Sequence, residues 1–123
     1  AAAGALRFVR TLFAAITAHP YLVAGRGRFD TTAMTAGGGA FAVKTGAEGV
    51  HVAAVPGLRL GIALKIDDGA GRAAEVAMTA LLQHLSVLDD DARATLSPYL
   101  DAPVLNSAGL RVGTIRAAAG WPA

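Results

Sequence analysis

Lys44-Thr45-Gly46 closes a strand-like segment and puts an ammonium, a hydroxyl and an unhindered backbone side by side. Together they make a natural anion or carboxylate site at a strand edge. The plainer reading is a lysine that ends an edge strand. Lys65 closes a second such segment, on the strand face it shares with Gly61 and Ala63. Those small residues leave space above the strand, and a lysine desolvated there would suit a general base. A lysine that simply reaches water is the bland alternative. Glu48, in a turn beside Gly49, offers a carboxylate to a substrate ammonium, or stands as a solvated turn residue. Asp67-Asp68-Gly69 reads better as a helix cap and turn than as a cation site. His51 alternates with Val50 and Val52 and so points away from them; a lone strand histidine is more often structural. His19, before a proline, and His84, on a helix, also read as structural. Ser86, Ser97 and Ser107 lie in no S-x-x-K or G-x-S-x-G context. The segment therefore shows no serine nucleophile of its own, and Thr45 is the best-placed hydroxyl, suited to positioning substrate rather than attacking it.

The elements that must hold these groups follow from periodicity. Leu6, Val9, Phe13 and Ile16 recur at helical spacing, which predicts a helix over 4–19 that stops at His19-Pro20. Phe8, Leu12 and Ala15 add a second apolar stripe, so both sides of that helix are expected to be covered. Residues 25–30 read as a loop, Asp30 as the cap of a short helix, and Gly37-Gly38-Gly39 as its break. Strands are predicted at 40–45, 50–55 and 58–66, with a Pro56-Gly57 turn before the last. The third alternates most clearly, with Leu58, Leu60, Ile62, Leu64 and Ile66 on one face. Short connections make these antiparallel hairpins. A long helix is expected over 69–87, with Ala74, Met78, Leu81, Leu85 and Leu88 inward, Glu75 and Thr79 on the polar side, and Asp67 or Asp68 as N-cap. Asp89-Asp90-Asp91 starts another helix that ends near Ser97-Pro98. A Gly109 turn precedes a last strand over 110–115. The order predicts an α+β fold, an antiparallel sheet packed against helices.

The 123 residues make one domain, 54% hydrophobic and 16% charged. The charged share lies below the usual ~25%, which excludes a disordered chain. A net charge of +2 with no basic tract and few aromatics argues against a nucleic-acid partner. Zero cysteines exclude a disulfide framework and a cysteine nucleophile here. No apolar run reaches the ~18 residues of a membrane span, and Arg7 and Arg10 interrupt the Ala-rich start. A cytoplasmic location is expected. The chain begins in mid-pattern, as the C-terminal portion of a longer protein would.

K-T-G is one of three motifs of the serine β-lactamase and penicillin-binding group. A wider and ordered set of blocks matches another family better. Ala18-His19-Pro20 with Val23-Ala24-Gly25, then Gly27-Arg28-Phe29-Asp30-Thr31, Lys44-Thr45-Gly46-Ala47-Glu48-Gly49-Val50, Gly61-Ile62-Ala63-Leu64-Lys65-Ile66-Asp67-Asp68-Gly69 and Arg72-Ala73-Ala74-Glu75-Val76 follow in sequence. In these the chain resembles the thermolabile, serine/lysine-type bacterial L-asparaginase II family, over its C-terminal part only. The resemblance implies the C-terminal sheet region of a serine β-lactamase/glutaminase fold. It implies hydrolysis of L-asparagine to L-aspartate and ammonia by serine/lysine chemistry, with the nucleophilic serine outside this segment. It assigns Lys65 as the catalytic lysine and Lys44, Thr45, Gly46 and Glu48 to the substrate. The missing N-terminal part of the same enzyme and a second copy in a homodimer are its implied partners. No cofactor is expected within the segment. Zinc is expected at most in the full-length protein, with His51, where the family often has cysteine, as a substitute ligand. The alternative is a non-catalytic amino-acid-binding or dimerisation module built on the same fold.

Overall fold

The computed structural model describes residues 1–122. It is α+β, with five α-helices and two antiparallel sheets among the described residues. Helix α1 (Ala2–Ala18) ends at His19, as the following proline requires. Pro20 does not leave a loop behind it. It stands at the first position of a short helix α2 (Pro20–Ala24), where a missing N–H costs nothing. Helix α3 (Phe29–Gly37) ends on Gly38 in the left-handed conformation (φ 54°), a C-terminal device that glycine adopts without penalty. Its N-cap is Arg28, not Asp30. Asp30 lies inside the first turn.

Strands β1 (Ala42–Thr45), β2 (Val50–Val55) and β3 (Leu60–Lys65) form a meander of order β1-β2-β3. The third strand starts later than its alternation predicts, because a 3-10 turn at Pro56–Leu58 and a left-handed Arg59 (φ 52°) use up the first residues. Ala53 pairs with Val43 on one side and Ile62 on the other, and His51 with Thr45 and Leu64. This face is turned inward, and Val43, His51, Ala53 and Val55 are buried on it. The opposite face carries Lys44, Val52, Ala54, Gly61, Ala63 and Lys65, all exposed.

Helix α4 (Gly71–His84) begins and ends inside the predicted range. Asp68 does not cap it; its Oδ1 accepts the Ala70 N–H at 2.8 Å in a turn that precedes the helix. Among its buried residues are Ala74, Met78 and Leu82, one row at helical spacing, and also Val76 and Thr79. The burial is wide because α4 touches β2 and β3 of one sheet and both strands of the other. Helix α5 (Asp90–Leu96) starts at the three aspartates as expected, and the Asp89 Oδ1 caps it by accepting the Ala92 N–H at 2.8 Å. The second sheet pairs β4 (Asp101–Leu105) with β5 (Arg111–Arg116). Only β5 is visible in the sequence pattern, since Pro103 interrupts β4.

The core joins Phe29, Ala33 and Met34 of α3, Phe41, Val43 and Val55 from the first sheet region, Met78 and Leu82 of α4, and Leu88 and Leu96 around α5. Helix α1 contributes little. Leu6, Phe8, Val9 and Leu12 of its two stripes are exposed, Phe8 at 68%, whereas Phe13 and Ile16 in the last turns are half-buried and Ile16 packs on the core. No helix among the described residues is long and apolar enough to cross a membrane.

Candidate functional site

A cleft of about 370 Å³ opens beside the free edge of β1. Val23, Ala24, Arg28, Asp30, Lys44, Thr45 and Gly46 line it. Its far wall is anchored by Thr31, whose hydroxyl donates to the Gly25 carbonyl at 2.7 Å and so ties α3 to the end of α2. Its near wall is the Lys44-Thr45-Gly46 strand end. The Gly46 N–H donates to the Val50 carbonyl at 2.8 Å, and a Cβ on Gly46 would lie 3.2 Å from the Val50 Cβ, so the turn is closely packed there.

Under the cleft lies the strongest polar cluster among the described residues. The Asp30 carboxylate is 2% exposed and receives three hydrogen bonds. The Thr45 N–H donates to Oδ2 at 2.8 Å, the Thr45 hydroxyl to Oδ1 at 2.7 Å, and His51 Nε2–H to Oδ1 at 2.9 Å. Burial alone would raise the Asp30 pKa. The hydrogen bonds from His51 and Thr45 outweigh it and hold the group at about 2. His51 is fully buried against the edge of Phe29, at 5.2 Å between ring centres. Its Nδ1 has no partner. Since Asp30 can only accept, Nε2 carries a hydrogen towards it. Glu75, on the adjoining face of α4, is half-buried. Burial raises its carboxyl pKa, against the pull of His51 and Arg28.

The residues singled out in the sequence divide into two groups. Lys44, Thr45 and Gly46 meet at the cleft. Lys65 does not line it. Lys65 and Lys44 flank β2 at the same end of the sheet's open face, Lys65 opposite Val50 and Lys44 opposite Val52. Each ammonium donates to a nearby carbonyl, Lys44 to Thr45 at 2.6 Å and Lys65 to Ile66 at 2.5 Å. The small residues above β3 leave the expected space, but Lys65 is exposed because nothing among the described residues covers that face. Glu48 also stands away from the cleft. It is left-handed (φ 58°) and its carboxylate lies over Gly69. His51, expected as a substitute zinc ligand in the full-length protein, stands on the buried face of β2. One nitrogen is engaged by Asp30, the other is sealed in the core, and the described residues contain no group of three or more His, Cys, Asp or Glu side chains able to hold a metal.

Sequence reasoning missed Asp30, Arg28 and Glu75 as members of this site. A signal for Asp30 was present. It shares a helical face with Ala33 and Met34, both buried, so its side chain had to point inward rather than cap. Among proteins of known family, the model for L-asparaginase II matches residues 1–117. No curated protein matches the chain.

Proposed function

The chain belongs to the L-asparaginase II family, and from that premise we propose that it supplies the lysine-bearing wall of a cytoplasmic amidohydrolase site that converts L-asparagine to L-aspartate and ammonia. The observation that supports this reading best is the single cleft into which Lys44, Thr45, Gly46 and Arg28 converge at a strand edge. The Arg28 guanidinium suits a substrate that carries a carboxylate. None of Ser86, Ser97 and Ser107 lines the cleft, so the attacking serine comes from outside these residues. Lys44 Nζ takes the proton of that serine as its oxygen adds to the side-chain amide carbon. The same ammonium returns the proton to the departing nitrogen, ammonia leaves, and water hydrolyses the aspartyl ester. Lys65, assigned as the catalytic lysine by resemblance, stands outside the cleft and serves the open face beside it.

Ammonia release from L-asparagine by the complete enzyme tests this reading. Lys44→Ala is expected to lose about 10²–10⁴ in kcat, the usual weight of a positioned proton-transfer group. Lys65→Ala is expected to lose much less. The reverse order would return the catalytic role to Lys65, and equal activity of all three proteins would sink the lysine mechanism.

A further inference from the structure

We infer that Asp30 fixes the direction of the Thr45 hydroxyl, so that Thr45 meets the substrate as a hydrogen-bond acceptor and selects the amide of asparagine over the carboxylate of aspartate. The inference rests on the amidohydrolase reading and adds a specificity determinant to it. A hydroxyl has one proton to give and two lone pairs to offer. The proton of Thr45 is committed to Asp30 Oδ1 at 2.7 Å, and Oδ1 also receives His51 Nε2–H at 2.9 Å. The other carboxylate oxygen is taken by the Thr45 N–H at 2.8 Å. With three donors aimed at it and almost no exposure, Asp30 has nothing to offer except acceptance. Thr45 lines the cleft and is half-buried, so what it shows to a ligand is oxygen lone pairs.

This revises the role expected for Thr45. It does not hold a substrate carboxylate, because its oxygen would face another oxygen with no proton between them. Arg28 is the cleft cation suited to the substrate's α-carboxylate. Lys44 Nζ donates to the Thr45 carbonyl, so the group that reacts beside Lys44 lies next to Thr45. In the substrate that group is the side-chain amide, whose N–H donors suit an acceptor. In the product it is a carboxylate, which an acceptor repels. The cleft therefore discriminates between two ligands of the same shape, and favours release of the product.

The test compares KM for L-asparagine with KI for L-aspartate in the complete enzyme. Thr45→Val removes the acceptor, and the ratio KI/KM is expected to fall roughly tenfold. Thr45→Ser, which keeps the hydroxyl, is expected to restore the ratio. Asp30→Asn is expected to lower it further. Its amide would donate to Thr45 Oγ1 and to His51 Nε2, and free the threonine proton for the cleft. Thr45→Val leaves Asp30 with two donors, so it carries the test if Asp30→Asn does not fold. A ratio unmoved in Thr45→Val, or KM and KI weakened equally, overturns this inference and leaves the amidohydrolase reading standing. An unaltered enzyme that releases no ammonia from asparagine overturns both.

Discussion

Replacing Asp30 by alanine removes the acceptor on which three donors converge. An orphaned buried polar group costs about 1–3 kcal/mol. The Thr45 groups lie at the cleft, where water can replace the carboxylate, so they fall at the low end of that range. His51 is 0% exposed and already has an unpartnered Nδ1, so losing its last hydrogen bond falls at the high end. Together these give an expected loss of about 3–5 kcal/mol, a large part of the ~5–15 kcal/mol that holds a typical domain. The ionisation of Asp30 gives a second view of the same hydrogen bonds. Its pKa is held at about 2 against an ordinary 3.8. A depression of that size corresponds to about 2 kcal/mol of stability at neutral pH. The carboxylate is depressed, so this contribution is complete above about pH 4 and disappears as pH falls towards about 2. Glu75 acts in the opposite sense. Its raised carboxyl binds a proton more readily in the folded state, so its contribution improves as the solution becomes mildly acidic. Urea unfolding of the unaltered protein and of Asp30→Ala, followed by circular dichroism from about pH 7 to about pH 3, separates the two figures. The deficit of Asp30→Ala should be largest near neutrality and shrink in acid. A deficit that is the same at every pH would refute the claim that an ionised carboxylate holds the cluster. A deficit under about 1 kcal/mol at neutral pH would refute the count of orphaned donors.

Two further perturbations address the elements around the site. Gly49→Ala is expected to cost about 2–4 kcal/mol, because φ is +68° and the new Cβ would lie 2.9 Å from the Gly69 carbonyl carbon and 3.0 Å from the Ile66 Cβ, atoms that cannot swing aside. Gly69→Ala (φ +75°) should cost less, since its Cβ meets the movable Glu48 Oε2 at 3.0 Å; melting temperatures in the opposite order would contradict the packing argument. Asp89→Ala removes the acceptor at the start of α5 and should lower stability by about 1 kcal/mol, read from the urea midpoint; an unchanged midpoint would mean that the cap is idle.

The legible parts of this fold are those where one segment carries its own signal. The three-stranded meander follows from alternation and from turn residues, both local. The start of α5 follows from three aspartates in a row. The start of α4 was misread because two carboxylates preceded it, and Asp68 caps a turn with the same geometry that would cap a helix. Strand β4 gives no pattern of its own and exists because β5 pairs with it. The polar cluster is the hardest case. Asp30 is fifteen residues from Thr45 and twenty-one from His51, and each reads alone as a cap, a strand-end hydroxyl or a core imidazole. Only the inward helical face of Asp30 and the inward strand face of His51, taken together, would have put a carboxylate and an imidazole in one interior. Two buried polar groups then require each other as partners.

The two lysines depend on one short turn in the same way. Lys44 precedes it and Lys65 lies across β2 from its far end. A slip of one residue in either pairing would send a lysine to the buried face. Two hydrogen bonds prevent this from opposite sides of the turn: Gly46 N–H to the Val50 carbonyl at 2.8 Å, and Ile66 N–H to the Gly49 carbonyl at 3.1 Å. The second is possible because Gly49, buried and left-handed, lets the backbone of Ile66–Gly69 come within van der Waals contact. Residues 46–49 thus set the register of β1 against β2 and of β3 against β2 at once. A substitution at Gly49 should disturb the cleft at Lys44 as well as the open face at Lys65, although Gly49 lines neither.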